Sequence, residues 1–225
     1  MALLSEANLC DADVVVPLTL FDRQCLEGRH SPNAIVPTAA SEALCHDKLA
    51  FNLAVMEAGL GKHIPAIVEV PDSFPVILKR RRDAWGEHSR ILHGLPPSAL
   101  DPAEHFLQAY IPGNEEWATH LLLRNGQVMF EATIRYEMPL GPYVKGIRMG
   151  ELRSEWQTDE TPHLECFQRI LQAVGFTEGT CCFDYRVHEG VPLVFELNPR
   201  FGGSLMGQIG PYLDAYRAAL AVEFA

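Results

Sequence analysis

The feature that most constrains this chain is the stretch Phe195–Ser204 near its C-terminus, in which an apolar run ends in a polar turn with two adjacent glycines. Twelve residues before Glu196, a second apolar run, Cys182–Val187, carries a single acid, Asp184. If the two runs pair as strands, two carboxylates, an amide and a guanidinium come together at one place. Oxygen ligands of this kind suit Mg²⁺, and an arginine fork suits phosphate.

The two runs are predicted to pair as an antiparallel hairpin. Side chains alternate between the faces of a strand, so matching apolar with apolar residues sets Tyr185 opposite Phe195 and Asp184 opposite Glu196. Opposed residues have Cβ atoms about 4.5–5.5 Å apart, where two carboxylates repel each other unless a cation lies between them. Asn198 lies on the same face and adds a neutral oxygen. The spacing therefore predicts a magnesium site.

A solvated polar face is the alternative explanation for an Asp and Glu pair, because most antiparallel sheets have one wet face. Such a face needs no pair of glycines like Gly202-Gly203, which lets the backbone approach a ligand closely. It also needs no arginine beside an amide, as Arg200 is beside Asn198. The whole stretch therefore favours a binding site over a wet face.

The remaining patterns predict two α+β lobes joined near Pro112-Gly113. Helical spacing of apolar residues predicts helices at Asp47–Ala58, Thr161–Val174 and Tyr212–Phe224. Apolar runs predict strands at Ala12–Leu18, Ala66–Val70, Val76–Lys79, Arg90–Leu92 and Phe106–Ile111. Asn125-Gly126 predicts a hairpin between Leu121–Leu123 and Gln127–Phe130. Residues 137–160 have no regular pattern and are expected to form a loop.

The composition limits the class of protein. With 48% apolar and 21% charged residues, the 225-residue chain is typical of a globular protein. Its formal net charge of −11 argues against a broad nucleic-acid or anionic-membrane surface. No apolar run is long enough to predict a membrane span, and the N-terminus does not resemble a signal peptide. The six cysteines form no Cys-x-x-Cys pair, which favours reduced thiols and a cytoplasmic location.

The hairpin resembles that of the ATP-grasp superfamily, whose signature ends in Glu-x-Asn-Pro-Arg or a close variant. The form here looks most like carbamoyl-phosphate-synthase-type domains and related carboxylate–amine ligases, and the similarity runs from about Ala43 to the C-terminus. It implies an α+β ATP-grasp fold, in which two α+β lobes clasp the nucleotide. Residues 43–112 would form the small lobe and 113–225 the large lobe with the metal and phosphate site. Residues 1–42 would be a remnant of an N-terminal Rossmann-like domain and a linker.

The resemblance assigns roles to particular side chains. ATP and Mg²⁺ (or Mn²⁺) are the implied cofactors, and the metal ligands are Asp184, Glu196 and Asn198. Arg200 and Lys79 are the implied catalytic residues at the transferred phosphate, and Lys48 is a second lysine for the nucleotide phosphates. Each lysine taken alone would be an ordinary solvated residue, so their order and spacing carry the assignment.

The segment Gln108–Glu115 resembles the family's hinge between the lobes. Backbone groups of Ala109 and Ile111, on either side of Tyr110, would read the adenine edge, and Glu115 would hold the ribose hydroxyls. Gln108 stands where the family usually has an acid, which matters little if adenine is read through the backbone. Taken alone, this segment is also typical of an ordinary turn with an acidic loop.

The loop after Lys79 departs from the family pattern. It is usually glycine-rich, but Arg80–Ser89 has one glycine and a bulky Trp85. Either the arginines or His88 and Ser89 then contact the phosphates, or the ability of the loop to close over them is impaired. The arginine run is equally well explained as a solvated strand end.

The resemblance implies an ATP-dependent ligase that activates a carboxylate as an acyl phosphate for attack by an amine and releases ADP and phosphate. The alternative is a catalytically idle or incomplete ATP-binding module within a larger assembly. Because only a remnant of the N-terminal domain precedes the lobes, either the sequence is a fragment of a longer protein, or a homo-oligomer or a partner chain is expected to complete that domain. Small-molecule carboxylates and amines are the expected partners, and nucleic acid and membranes are not.

Overall fold

The computed structural model describes residues 9, 12–27, 31–83, 87–96, 100–145, 150–157 and 161–222. The predicted role of Trp85 in the phosphate loop lies outside these residues. So does the predicted end of the last helix at Phe224. Within the described residues, no helix is long and apolar enough to cross a bilayer.

The first half of the chain forms three helices and a small sheet. The helices are α1 (Leu20–Leu26), α2 (Ala39–His46) and α3 (Lys48–Val55). The strands are β1 (Ile67–Val68), β2 (Val76–Arg80), β3 (Arg90–Leu92) and β4 (His105–Ala109). They pair antiparallel in the order β1-β4-β2-β3. The four strands predicted between Ala66 and Ile111 are confirmed, with β1 shorter than expected.

Helix α3 begins and ends for local reasons. Asp47 caps it, because its carboxylate accepts a hydrogen bond from the backbone N–H of Ala50 at 3.1 Å. The segment Met56–Leu60 continues α3 and turns away at Gly59, which has a φ of +77°. Only glycine adopts this conformation without strain, so the predicted stop at Gly59 is confirmed.

The second half forms a five-stranded antiparallel sheet in the order β7-β6-β5-β8-β9. Its strands are β5 (Glu115–Arg124), β6 (Gln127–Glu137), β7 (Arg153–Trp156), β8 (Gly179–His188) and β9 (Val191–Asn198). Two helices accompany it, α4 (Leu164–Ala173) and α5 (Ile209–Ala221). Asn125-Gly126 turns between β5 and β6 as predicted, with both residues at positive φ.

The five-stranded sheet is covered on both faces, and the alternation of β8 decides what lies on each. Phe183 and Tyr185 point toward α3 and α4, where Phe51 and Phe167 complete the main core. The even-numbered residues of β8 point the other way. There Thr180 hydrogen-bonds the Tyr212 hydroxyl of α5 at 2.7 Å. Asp184 therefore lies on the face opposite the main core.

Two of the sequence predictions are wrong. Ala12–Leu18 is not a strand: Val15 forms one parallel bridge with Ala34, and no described strand pairs alongside it. Residues 137–160 are not all loop, since they contain β7 at the edge of the sheet. Its sequence, Arg153-Ser154-Glu155-Trp156, is polar and mostly exposed, so it lacks the apolar alternation that predicts a strand.

Candidate functional site

A cleft of about 520 Å³ lies between the small sheet and the face of the large sheet that carries Asp184. Ile77 and Lys79 of β2 line it on one side. The segment after β4 contributes Ile111. The large sheet supplies most of the polar lining, from Glu116 on β5 to the stretch between Glu196 and Ser204. The cleft is therefore where the predicted metal and phosphate residues converge.

The hairpin β8–β9 sets the register of the site. Asp184 lies opposite Glu196, as predicted. Directly after this pair a β-bulge shifts the register, and Tyr185 lies opposite Val194 instead of Phe195. The predicted pairing of Tyr185 with Phe195 is therefore wrong. Because of the extra residue, Val194 and Leu197 are both buried in the main core, and Phe195 lines the cleft.

The three predicted metal ligands lie within hydrogen-bonding distance of one another. Asn198 donates from Nδ2 to Asp184 Oδ2 at 2.8 Å and to Glu196 Oε1 at 2.9 Å. Burial and the nearby Glu196 charge raise the pKa of Asp184 well above its usual range. Burial also works to raise the pKa of Glu196, but Lys48 and Lys79 outweigh it and lower that pKa. A cation at this site would keep both carboxylates charged.

The donor set fits a hard divalent cation. Among the residues that the structure describes, no group of three or more His, Cys, Asp or Glu side chains is arranged to hold a metal. Two carboxylates completed by an amide oxygen are nevertheless ligands that Mg²⁺ accepts, and they leave positions open for phosphate. The amide N–H₂ of Asn198 now bridges Asp184 and Glu196, which is the place a cation would take.

Both predicted lysines reach this hairpin. Lys79 is buried and donates from Nζ to the backbone oxygen of Phe195 at 3.1 Å. Burial lowers the pKa of Lys79 to about 8. The charge of Glu196 acts in the opposite direction and limits this decrease. Lys48 lies 3.2 Å from Glu196 Oε2 and donates to the backbone oxygen of Asp83 at 2.9 Å. The site thus has two buried ammonium groups beside its carboxylates.

Arg200 lies at the end of the hairpin and lines the cleft. Its backbone N–H donates to Asn198 O at 2.9 Å, which folds the turn back on the strand. Its guanidinium donates to Phe201 O at 3.2 Å and to Asn198 Oδ1 at 3.5 Å. The turn therefore holds Arg200 beside Asn198, which contacts both carboxylates.

The arginine run after Lys79 is held by carboxylates. Arg80 lies 3.0 Å from Glu104, and Arg81 and Arg82 lie 2.8 and 3.2 Å from Asp47. The two pairs with Asp47 attach the loop to the start of α3, and the pair with Glu104 attaches it to the segment before β4. The structure thus gives the arginines partners within the protein, which neither of the two sequence explanations anticipated. Of the other two residues considered for phosphate, Ser89 lines the cleft, and His88 hydrogen-bonds Asp83.

The predicted hinge, Gln108–Glu115, is only partly at the cleft. Gln108 is buried and donates to Pro65 O at 3.1 Å, and the backbone N–H of Ala109 donates to Ala66 O at 2.8 Å. Tyr110 donates from its hydroxyl to Gly141 O at 3.4 Å. Ile111 lines the cleft. Much of the hinge is therefore used to hold the small sheet together.

Glu115 is placed away from the cleft. Its half-exposed carboxylate pairs with Arg135 at 3.2 Å on the face of the sheet that points away from the cleft. The next residue, Glu116, is buried and lines the cleft instead. Alternation along β5 puts neighbouring residues on opposite faces, so only one of the two acids can reach a nucleotide there.

A buried arginine was missed by the sequence predictions. Arg186 donates to the backbone oxygen of Ile111 and lies 3.4 Å from Glu116. Its guanidinium also stacks over the Tyr143 ring at 4.1 Å. Arg186 is two residues after Asp184, so the same alternation that placed Asp184 also predicts that Arg186 faces the cleft. Nothing in the sequence signals that Tyr143 covers it.

No family model matches the chain, and no curated protein matches it. Solved structures do match. D-alanine–D-alanine ligase from Bacillus anthracis, complexed with ATP, has a TM-score of 0.58 at 16% identity, over 89% of this chain and 74% of the ligase. Biotin carboxylase from Campylobacter jejuni, in a βγ-ATP complex, has a TM-score of 0.63 at 16% identity, over 97% and 57%. An ATP-grasp superfamily protein from Archaeoglobus fulgidus has a TM-score of 0.55 at 14% identity, over 84% and 56%.

The chain therefore has the ATP-grasp fold, and the expected fold class is confirmed. The match spans about three quarters of the length of the D-alanine–D-alanine ligase and little more than half of the other two proteins. The remnant of an N-terminal Rossmann-like domain and the lobe boundaries stay predictions.

Proposed function

We propose that this chain is an ATP-dependent ligase that activates a carboxylate as an acyl phosphate, which an amine then attacks to form a C–N bond. The observation that carries the proposal is the convergence of Asp184, Glu196 and Asn198 with two buried ammonium groups and Arg200 at one cleft. A fold shared with solved structures of ATP complexes supports it.

The triphosphate would lie along β9, between the small sheet and the hairpin. Lys79 would orient the phosphates. Lys48 would contact them as well once Glu196 binds a metal instead of pairing with Lys48. Asp184, Glu196 and Asn198 would hold Mg²⁺ or Mn²⁺. The metal, when bound, would neutralise the charge that develops on the transferred phosphoryl group.

The base would lie at the Ile111 end of the cleft. The Ile111 carbonyl already accepts from Arg186 and the Ala109 N–H is bonded to Ala66, so the Ile111 N–H is the group we assign to the adenine edge. Glu116 replaces Glu115 as our candidate for the ribose hydroxyls, because it is the acid that lines the cleft.

The acceptor would lie at the other end, beside Arg200. A carboxylate oxygen attacks the γ-phosphorus and ADP leaves. Arg200 would stabilise the negative charge of the phosphoryl group during this transfer. An amine nitrogen then attacks the acyl carbon, phosphate leaves, and the protons of the amine pass to solvent. The turn Gly202-Gly203-Ser204 would supply backbone and hydroxyl donors to the acceptor carboxylate. The protein's main contributions are orientation and fixed charge.

The proposal also includes the two lobes and the location expected from the sequence. Residues 43–112 and 113–225 would act as the two lobes of a cytoplasmic enzyme.

A second candidate function is a nucleotide-binding module without turnover. Two observations favour it: Lys48 is paired with Glu196, and Arg186 with Tyr143 packs at the base end of the cleft. In that case the chain binds MgATP with these groups displaced but transfers no phosphate.

Calorimetry with MgATP, followed by a screen for acceptor-dependent ADP release across amino acids and carboxylate–amine pairs, tests both candidates. Glu196→Gln should abolish metal-dependent binding and turnover. The matched control is Glu57→Gln, at an exposed position outside the cleft. Binding without turnover on any acceptor favours the module, and no MgATP binding by the unaltered chain overturns both.

A further inference from the structure

His120 on β5 closes the end of the cleft beside the glycine turn, and it is fully buried. Its Nε2 lies 2.9 Å from the hydroxyl oxygen of Ser204. The turn passes so close that a Cβ on Gly202 would lie 2.4 Å from Cε1 of the His120 ring. Only glycine fits there, so the turn and the histidine are built around each other.

His120 is uncharged, because burial lowers its pKa to about 3. A neutral imidazole carries one proton, on either Nδ1 or Nε2. Nδ1 is buried and has no hydrogen-bond partner among the described residues. A buried N–H without an acceptor is rarer in proteins than a buried acceptor without a donor. The proton therefore lies on Nε2, which donates to Ser204.

The direction of this hydrogen bond determines whether the neighbouring hydroxyl groups act as donors or acceptors. Ser204 accepts from His120, so its own O–H is left to donate. The Tyr136 hydroxyl lies beside the Ser204 side chain, and both side chains line the cleft. Ser204 donates either directly into the cleft or to Tyr136, whose own O–H then donates into the cleft. In both cases the hydroxyl that faces the ligand is a donor. A ligand at this end must therefore present a hydrogen-bond acceptor.

The charges nearby favour an anionic acceptor over a neutral one. The ammonium of Lys145 lies 3.8 Å above the Tyr136 ring, and Arg200 lines the same cleft. Glu151 also lines it, so the surroundings are not uniformly positive. The hydroxyl donors require a hydrogen-bond acceptor, and Lys145 and Arg200 favour one that carries negative charge.

We propose that His120 is a positioning residue that fixes the hydroxyls of Ser204 and Tyr136 as donors to an anionic oxygen of the ligand, either a carboxylate or a phosphate oxygen. The inference rests on the proposed function for the reaction that this oxygen takes part in. The hydrogen-bond direction rests on the geometry of the folded chain alone.

Two measurements test the proposal. In protein labelled with ¹⁵N-histidine, long-range ¹H–¹⁵N spectra should show His120 as the neutral Nε2–H tautomer from pH 5.5 to about 8. Separately, acetate and inorganic phosphate are titrated into the Mg·ADP complex by calorimetry. Acetate binding identifies a carboxylate subsite, and phosphate binding identifies a phosphoryl subsite.

Variants then separate donation from packing. His120→Leu removes the donor and should weaken binding of the probe at least tenfold, while the affinity for Mg·ADP changes less than twofold. His120→Gln keeps an N–H donor and should stay within threefold of the unaltered chain. In a Ser204→Ala background, His120→Leu should add less than twofold. His93→Leu, at an exposed position outside the cleft, is the control and should change nothing.

The proposal is overturned by a Nδ1–H tautomer, by full additivity of the two substitutions, or by failure of both probes to bind. If Mg·ADP itself does not bind, the proposed function fails instead. The spectra and the probe titrations on the free protein then still decide the role of His120.

Discussion

Asp184 lies directly opposite Glu196 in the hairpin β8–β9, one residue before a bulge changes the register. Two half-buried carboxylates at this separation repel each other, and in this fold Asn198 and Lys48 offset the repulsion. The bulge also exposes the Phe195 carbonyl to Lys79. Regular pairing therefore sets Asp184 beside Glu196, and the bulge that follows turns Phe195 toward the cleft, where its carbonyl accepts from Lys79.

Mg²⁺ alone should raise the melting temperature, because a ligand that binds only the folded state stabilises it. Relief of the repulsion between Asp184 and Glu196 is the physical cause. Differential scanning fluorimetry at increasing MgCl₂ measures the shift, and Asp184→Asn should abolish most of it. The matched control is Asp72→Asn, at an exposed position, which should leave the shift intact. An equal shift in both variants would mean that Mg²⁺ acts elsewhere.

Binding of MgATP should take up protons near pH 8. Burial lowers the pKa of Lys79 to about 8, so part of the population is neutral there, and nearby phosphates favour the ammonium form. Calorimetry at pH 8 in buffers of different ionisation enthalpy measures the uptake, which should decrease at pH 6.5. Lys79→Met should remove it. Proton release, or no uptake in the unaltered chain, would contradict this role.

The lowered pKa of Lys79 also determines how its contribution to stability changes with pH. The pKa of Lys79 is lower in the folded state than in the unfolded state, where it is near 10.5. The unfolded state therefore binds more protons between about pH 8 and 10.5, so the contribution of Lys79 to stability improves as pH rises through this window. Below pH 8 the full cost of burying the charge is present. Urea unfolding of the unaltered chain and of Lys79→Met, at pH 7.5 and 9.5, isolates this contribution.

Gly202→Ala should destabilise the fold by about 1–3 kcal/mol, the usual cost of forcing extra volume into a packed site. The new Cβ would lie 2.4 Å from the His120 ring, which is itself fully buried. Gly210→Ala, in α5, is the matched control, because nothing lies within 4 Å of its added Cβ. It should be neutral or stabilising by up to about 1 kcal/mol. Equal effects of the two substitutions in urea unfolding would contradict the close packing.

The sequence predicted much of this site and missed a definable part of it. Alternation along β8 and the position of the glycine turn were enough to bring Asp184 to Glu196. Alternation cannot anticipate a bulge, because the extra residue breaks the period that the argument relies on. That is why the sequence sets Phe195 opposite Tyr185, whereas in the structure Phe195 lines the cleft.

The other differences also have physical reasons. Glu115 and Glu116 are adjacent acids, and only the register of β5 with its neighbours decides which one faces the cleft. His120 gives no signal in the sequence, since a single histidine within an apolar strand is typical of a core residue. Its role depends on contacts with Ser204 and Gly202, more than eighty residues away along the chain.

Arg186→Met should destabilise the protein by about 3–5 kcal/mol, because it leaves the carboxylate of Glu116 buried without its partner. Burial already works to raise the pKa of Glu116, and Arg186 is the main group that opposes it. Adding Glu116→Gln should recover part of the loss, since the unpaired charge is then gone. Urea unfolding of the two single variants and the double variant measures the coupling. Additive losses would show that Arg186 acts through its packing on Tyr143 and not through the charge of Glu116.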